Sequence, residues 1–174
     1  MMTSYLHNFK IRKNFHRSVI RWTPFVADTL VFTAEFTEDM WYFPTYEHIN
    51  KLLGFSDGGV NHHNNSIRIG WRPTRNENEF TVFAYAYIDG ERYIETLDTV
   101  KVGKNSFTIQ TFDTHYLIEV YDGKEITKPV IVERGERSVE WYKHLLFPYF
   151  GGKPTAPRTM TIPIMWDFYI TAQN

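Results

Sequence analysis

A two-residue alternation of apolar and polar side chains constrains the fold of this chain more than any other feature. In residues 30–37, LVFTAEFT, the apolar side chains are Leu30, Phe32, Ala34 and Phe36. Similar alternation recurs in SIRIGWR (66–72), EFTVFAYAYI (79–88) and RTMTIPIMWDFYI (158–170). Successive side chains of a strand point to opposite faces, so this pattern predicts half-buried antiparallel strands, and helical periodicity is nearly absent. The predicted core includes Leu30, Phe32, Ile67, Ile69, Trp71, Val82, Ala84, Ile162 and Ile164.

Two Asp-Gly pairs predict turns between these strands. Asp89-Gly90 and Asp122-Gly123 each follow a strand-like segment, and Asp-Gly favours the tight turn of a hairpin. Pro163 predicts an edge position or a bulge, because proline cannot donate a ladder hydrogen bond. One short helix or irregular turn is predicted near residues 45–53. Many short strands in one domain's length of chain indicate an all-β fold, an antiparallel β-sandwich of the jelly-roll type.

Charge is distributed unevenly along the 174 residues, although the net charge is −1. Residues 1–27 carry +5 with no acidic side chain, so residues 28–174 carry −6. We interpret 1–27 as a basic N-terminal arm or first strand and 28–174 as the jelly-roll domain. A solvated segment and an arm that docks on an acidic partner both remain open. The basic residues of this segment are Lys10, Arg12, Lys13, Arg17 and Arg21.

Composition disfavours several classes of protein. The chain has no cysteine, which removes disulfides and thiolate metal sites, and no row of oxygen ligands follows Asp57. We therefore expect no metal and no cofactor. No apolar stretch reaches the roughly 18 residues of a membrane span, and the first residues lack the apolar segment of a secretory signal. We expect no membrane association, a cytoplasmic or virion-associated location, and no binding of nucleic acid, given the net charge.

The loop within GFSDGGVNHHNNSIRIGWR, residues 54–72, holds the first candidate functional residues. His62 and His63 are adjacent there, and a histidine can act as a base near neutral pH. An exposed polar loop is the alternative interpretation. A zinc site is disfavoured, because zinc normally needs a third protein ligand and an adjacent pair rarely has suitable geometry.

Arginines and aromatic residues on two consecutive strands form the second candidate group. Arg68 and Arg72 share one strand face with Cα atoms about 13 Å apart, at ~3.3 Å per residue. If the strands are neighbours, these arginines face the aromatic side chains of the next strand. Guanidinium groups pair with carboxylates and flat rings stack on sugars, so the set suits an acidic polysaccharide. The predicted binding residues are Arg68, Arg72, Phe83, Tyr85 and Tyr87.

Three regions, in this order, resemble the concanavalin-like jelly-roll family that includes small polysaccharide lyases. They are KLLGFSDGG (51–59), then SIRIGWR (66–72) with FTVFAYAY (80–87), and finally LLFPYFGGKPTAPRTMTIPI (145–164). The resemblance covers roughly residues 30–170 and extends to uncharacterised domains of gut Bacteroidetes and of phages. It implies the jelly-roll fold, with Gly54, Gly151 and Gly152 serving backbone geometry.

The resemblance also implies a possible lyase activity on uronate-containing glycans. A lyase needs a group that neutralises the carboxylate, a base and an acid, and the candidates are Arg68, a histidine (His62 or His63) and Tyr85. Non-catalytic binding of an acidic polysaccharide by the arginine and aromatic face is the interpretation we favour. A phage virion or assembly subunit, joined to its neighbours through the basic N-terminal segment, is a third. Paired glycosidase carboxylates, as in E-x-D-x-x-E, do not occur.

Overall fold

The computed structural model describes residues 5–18, 23–45, 47–138 and 142–170, which contain a 3₁₀ helix at Glu38–Met40 and twelve strands. The strands are β1 Tyr5–Ile11, β2 Pro24–Phe25, β3 Thr29–Phe36, β4 Asn50–Ser56, β5 Ser66–Pro73, β6 Glu79–Ile88, β7 Glu91–Lys101, β8 Gly103–Thr111, β9 His115–Tyr121, β10 Val130–Glu133, β11 Lys143–Leu146 and β12 Met160–Tyr169. No helix within these ranges is long and apolar enough to cross a membrane.

The strands form two six-stranded antiparallel sheets. Sheet I has the order β1-β12-β3-β8-β9-β10, and sheet II has the order β2-β11-β4-β5-β6-β7. Both sheets contain neighbours that are distant in sequence, such as β12 beside β3 and β11 beside β4, as in a jelly roll. The all-β antiparallel sandwich predicted from the alternation is confirmed.

The core lies between the sheets and is rich in aromatic rings. All nine predicted core side chains are buried, each at most 1% exposed. In sheet I the rings of Phe32 and Phe107 stack with centroids 5.0 Å apart. Trp71 of sheet II contacts Phe36 of sheet I edge-on at 6.2 Å. The alternation thus sends one face of each central strand into a shared core.

Both Asp-Gly turns are present. Asp89 and Gly90 have φ of 50° and 97°, the two positive values that a type I′ hairpin turn requires, and they join β6 to β7. Gly123 also has positive φ, at 93°. The Asp122 carboxylate accepts hydrogen bonds from the backbone N–H groups of Lys124 and Glu125, at 2.9 and 3.2 Å.

Two local predictions each named two alternatives, and the structure selects one of each. β12 is an interior strand, but the β3 ladder begins only at Ile164, and Pro163 pairs with Asn8 of β1 alone. Pro163 thus occupies a locally unpaired edge of β12 rather than a bulge, and its missing N–H interrupts no ladder to β3. Near residues 45–53 the irregular alternative holds: residues 47–49 are irregular, and β4 starts at Asn50.

The basic N-terminal segment contributes to both sheets. β1 pairs with β12 along Tyr5–Ile11, and β2 pairs with β11. Between them, Arg17 forms an isolated bridge with Tyr149. Arg21 lies outside the described residues. The role of the segment in assembly, and the domain boundary at residue 28, stay predictions.

Candidate functional site

A cleft of about 580 Å³ opens on the face of sheet II that points away from the core. Its floor comes from β4, β5 and β6, and its walls come from the loop after β11, the His62–His63 loop and the N-terminal segment. The described lining residues are Arg17, Lys51, His62, His63, Ser66, Arg68, Tyr85, Tyr87, Leu145, Leu146, Phe147, Pro148, Tyr149, Gly151 and Gly152.

Arg68 lies at the base of the cleft and is only 8% exposed. Its Nη2 donates to the carbonyl oxygens of Leu52, at 3.3 Å, and Phe147. Nε is buried without a hydrogen-bond partner among the described residues. Burial lowers the pKa of Arg68 to about 10, so the guanidinium stays charged at neutral pH. The carbonyls fix the side chain, but no carboxylate of the described chain neutralises it.

Tyr85 lies directly opposite Arg68 on β6, and Tyr87 lies opposite Ser66. This register confirms that Arg68 and the two tyrosines face the same side of one sheet. The tyrosine rings meet edge-on with centroids 6.0 Å apart. Burial, followed by the hydrogen bond with Tyr87, raises the pKa of Tyr85, which keeps its phenol protonated at neutral pH.

Lys51 of β4 is a cleft residue that the sequence analysis missed. Its Nζ lies 4.5 Å from the centroid of the Tyr85 ring and donates to the Gly151 carbonyl at 3.2 Å. Burial, together with repulsion from Arg68 and Arg92, lowers the pKa of Lys51 to about 8. Two-residue alternation counted back from the buried Phe55 would place Lys51 on the core face. An irregularity between Lys51 and Gly54 breaks this alternation, so the sequence pattern did not identify Lys51 as a cleft residue.

His62 and His63 both line the cleft, with ring centroids 4.2 Å apart. The His63 ring lies 4.9 Å from that of Tyr87. Burial, with repulsion from His63, Arg68 and Lys51, lowers the pKa of His62 to about 4. The His62 imidazole is therefore neutral at pH 7, a proton acceptor rather than a cation.

The β6–β7 turn anchors the end of the histidine loop. The Asn65 amide donates to the Asp89 carboxylate at 3.1 Å and accepts from the Asp89 backbone N–H at 2.8 Å. Gly90 N–H donates to the Asn64 carbonyl at 2.8 Å. The Asp-Gly turn therefore has a second role, since it holds the loop that carries the histidines against the cleft.

Residues 147–152 form the opposite wall and are held by backbone bonds to β4. Lys51 and Tyr149 exchange backbone hydrogen bonds of 2.8 and 3.0 Å. Gly151, with φ of 63°, donates its N–H to the Asn50 side chain at 2.7 Å. His16 stacks on the Tyr149 ring at 5.2 Å, which places the following Arg17 at the cleft. The basic segment thus adds a third cation to the site.

Two predicted binding residues lie outside this cleft. Arg72 and Phe83 occupy the same sheet face, but further along the strands, where the guanidinium carbon lies 5.5 Å from the Phe83 centroid. Arg72 lines a second depression of about 410 Å³ with Arg75, Glu47 and others. The sequence placed these residues on the correct face, but it did not show that the face divides into two depressions.

Asp57 and Arg134 form a buried ion pair. Arg134 Nε donates to Asp57 Oδ2 at 2.6 Å, and the two side chains are 8% and 0% exposed. Tyr116 also donates to Asp57 Oδ2 at 2.6 Å. The pair joins the loop after β4 to the segment after β10, far apart in sequence, and it lies outside the cleft lining.

The electrostatic balance of the cleft is strongly positive. Arg17, Lys51 and Arg68 line it, and no Asp or Glu occurs among its described lining residues. Within the described chain, no three His, Asp or Glu side chains gather where they could hold a metal ion. The mutual repulsion of the cations falls when an anion binds between them, so the arrangement favours an anionic ligand.

No protein-family model matches the sequence, and no curated protein matches it. Solved structures with similar folds do occur, at low identity. A functionally unknown protein from Saccharomyces cerevisiae aligns with a TM-score of 0.57 and 8% identity, over 94% of this chain and 84% of that one. The laminarinase catalytic domain of Thermotoga maritima aligns with a TM-score of 0.55 and 12% identity, over 95% and 78%.

A third structure, the GH43 protein BlXynB from Bacillus licheniformis, aligns with a TM-score of 0.54 and 11% identity. The alignment covers 92% of this chain but only 30% of that protein. The chain has a concanavalin-like jelly-roll fold. At such identities the likeness extends to the fold alone.

Proposed function

We propose that the protein binds acidic polysaccharides in the cleft of sheet II, without cleaving them. The observation that carries the proposal is the environment of Arg68, a buried guanidinium whose hydrogen-bond partners among the described residues are backbone carbonyls. Burying a charge without a counter-ion is costly. A carboxylate or sulfate group of a sugar would supply that counter-ion, and Lys51 and Arg17 line the same cleft.

The aromatic side chains support a sugar as the bearer of that anion. Tyr85 and Tyr87 line the floor of the cleft, and Tyr149 lines one wall. Aromatic rings offer flat apolar faces together with hydroxyl groups, which suits the mixed surface of a sugar. The jelly-roll structures similar to this chain include glycoside hydrolases, such as the laminarinase catalytic domain, which makes a saccharide ligand a natural class to test.

Hydrolysis by the usual glycosidase chemistry is not supported by this cleft. That mechanism needs two carboxyl groups, about 5–5.5 Å apart in retaining enzymes and about 6.5–9.5 Å apart in inverting ones. The described lining offers no carboxyl group at all. Binding needs only the cations and rings that are present.

A direct test is calorimetric titration with polygalacturonate, alginate and hyaluronan, and with a neutral β-glucan for comparison. We expect binding to one or more of the acidic polymers and weaker binding to the neutral one. Lys51→Gln should lower the affinity, whereas Lys104→Gln, an exposed position on sheet I, should leave it unchanged. Binding to the β-glucan alone, or to no polymer, would contradict the proposal.

β-Elimination of a uronate is the second candidate, and the observation that favours it is the presence of His62, Arg68 and Tyr85 in one cleft, with the pKa of His62 lowered by burial to about 4. In that reaction the C5–H and C4–O bonds break and a C4=C5 double bond forms. Arg68 would neutralise the uronate carboxylate, His62 would accept the C5 proton, and the protonated Tyr85 would donate a proton to the leaving oxygen. All three line the cleft.

The two candidates differ in a simple optical assay. The unsaturated product of β-elimination absorbs in the ultraviolet, so absorbance should rise when a lyase acts on a bound polymer. We expect binding without a rise in absorbance. A rise that Tyr85→Phe or His62→Asn abolishes would establish the lyase instead.

A further inference from the structure

The outward row of β5 carries a second cation beyond the cleft. Arg68 and Arg72 are four residues apart on one strand, so they share a face with Cα atoms about 13 Å apart, at ~3.3 Å per residue. Arg68 lines the central cleft, and Arg72 lines the second depression of about 410 Å³. The two depressions therefore follow one another along a single strand.

The second depression has a positive balance of its own. Arg72 and Arg75 line it, and Glu47 is the one carboxylate among its described lining residues. Within the described chain, neither Arg72 nor Arg75 has a carboxylate oxygen within 4 Å of its guanidinium nitrogens. Arg72 instead lies over the ring of Phe83, a cation–π contact that leaves its charge uncompensated.

An apolar strip separates the two depressions. Gly70 lies between Arg68 and Arg72 on the strand and pairs with Phe83 of β6. A Cβ at Gly70 would lie 2.6 Å from a methyl carbon of Ile49, so the Ile49 side chain covers this glycine. The order along the face is thus a cationic cleft, an apolar strip and a second cationic depression.

We infer that these three parts form one extended site along β5, and that the ligand is a polyanionic chain long enough to reach both Arg68 and Arg72. This inference rests on the proposed binding function and specifies its ligand. A single sugar ring is shorter than the spacing between the arginines, so a monosaccharide or a small anion occupies one depression only. A chain that carries charges at intervals occupies both, and linking the two contacts increases its affinity.

The test is a length series of oligogalacturonates, from disaccharide to octasaccharide, titrated into five proteins. Four of them are the wild type, Arg72→Gln, Arg75→Gln and Lys51→Gln, and the fifth is Lys104→Gln, the charge-matched control on the other sheet. Thermal unfolding of each variant verifies that it is folded. Arg72→Gln could disturb the packing of Phe83. Because Arg75 is exposed, Arg75→Gln tests the same depression with little risk to stability.

Wild-type affinity should rise with length and then level off once the chain reaches both arginines. Arg72→Gln and Arg75→Gln should weaken the long oligomers by roughly fivefold each and leave the short ones unchanged. Lys51→Gln should weaken all lengths. An affinity independent of length, or an equal loss at all lengths in Arg72→Gln, would overturn the inference while leaving the proposed function intact. If no length binds to the wild type, both the proposed function and the inference fail.

Discussion

Gly54 and Arg68 lie directly opposite each other on β4 and β5, and a Cβ at Gly54 would come within 2.4 Å of the Arg68 Cα and 2.8 Å of its Cγ. The same Cβ would meet the Ile67 carbonyl oxygen at 2.1 Å. Two of these contacts are with backbone, which cannot move aside as a flexible side chain can. The glycine therefore makes room for the buried guanidinium on which the proposed site depends.

Replacing this glycine should disrupt both stability and binding. We expect Gly54→Ala to lower the free energy of unfolding by about 1–3 kcal/mol, as overpacking does, and to abolish binding of acidic polymers. Gly152→Ala is the matched control, because Gly152 also lines the cleft but a Cβ added there would have no neighbouring atom within 4 Å. Urea denaturation measures the stability of both. Equal stability of the two variants would contradict the packing argument.

Two substitutions of Tyr85 distinguish a role of its ring in stacking from a role of its hydroxyl group. Tyr85→Phe keeps the ring that lies below Lys51 Nζ, so it should bind acidic polysaccharides nearly as well as the wild type. Tyr85→Ala removes the ring and should weaken binding by about tenfold, which corresponds to ~1.4 kcal/mol. Calorimetric titration measures both affinities. An equal loss in the two variants would show that the hydroxyl group, rather than the ring, holds the ligand.

Binding should weaken as the pH rises through about 8, the value to which burial and the neighbouring arginines lower the pKa of Lys51. A bound anion favours the protonated amine, so the pKa of Lys51 is higher in the complex and binding takes up a proton above that pH. The contribution of Lys51 is therefore fully present below about pH 8 and is lost above it. Titrations from neutral pH to about pH 9 should show this fall in the wild type.

The Lys51→Gln variant is the control for this pH dependence. It should bind more weakly at neutral pH and lack the fall near pH 8, because it removes the amine whose pKa lies near that value. His62, with a pKa of about 4, is neutral throughout the range. A fall of the same size in Lys51→Gln would assign the titration to another group.

The buried ion pair of Asp57 and Arg134 should matter for stability rather than for binding. Asp57→Ala leaves the Arg134 guanidinium buried and the Tyr116 hydroxyl without its acceptor, so we expect a loss of about 3–5 kcal/mol. Asp113→Ala, at an exposed position, is the control and should change stability little. Chemical denaturation measures both. A loss in Asp57→Ala as small as in the control would show that the pair is not important for stability.

The fold could be predicted from the sequence because its signals are local. Alternation in residues 30–37 and 66–72 identified the buried faces, and Asp89-Gly90 identified a hairpin. Pairing between distant strands is not local, and this is why Pro163 predicted an edge position or a bulge without showing which strand it would lie beside. The position of Pro163 just beyond the β3 ladder depends on where β3 ends.

The candidate site could be predicted only in part. The two-residue alternation of side chains in two neighbouring strands was enough to place Arg68, Tyr85 and Tyr87 on one face of the sheet. Lys51 was missed because an irregularity in β4 shifts its phase. Arg17 was missed because its position depends on the stacking of His16 on Tyr149, a contact between residues far apart in the sequence.

The most direct test of the central claim compares one polymer in two charge states. Polygalacturonate and its fully methyl-esterified form share the same backbone and rings, and they differ in the carboxylate charge that Arg68 and Lys51 are proposed to recognise. Calorimetric titration at neutral pH and low salt should show binding of the free acid and little or none of the ester. Equal affinity for the two forms would contradict an anion-recognising cleft.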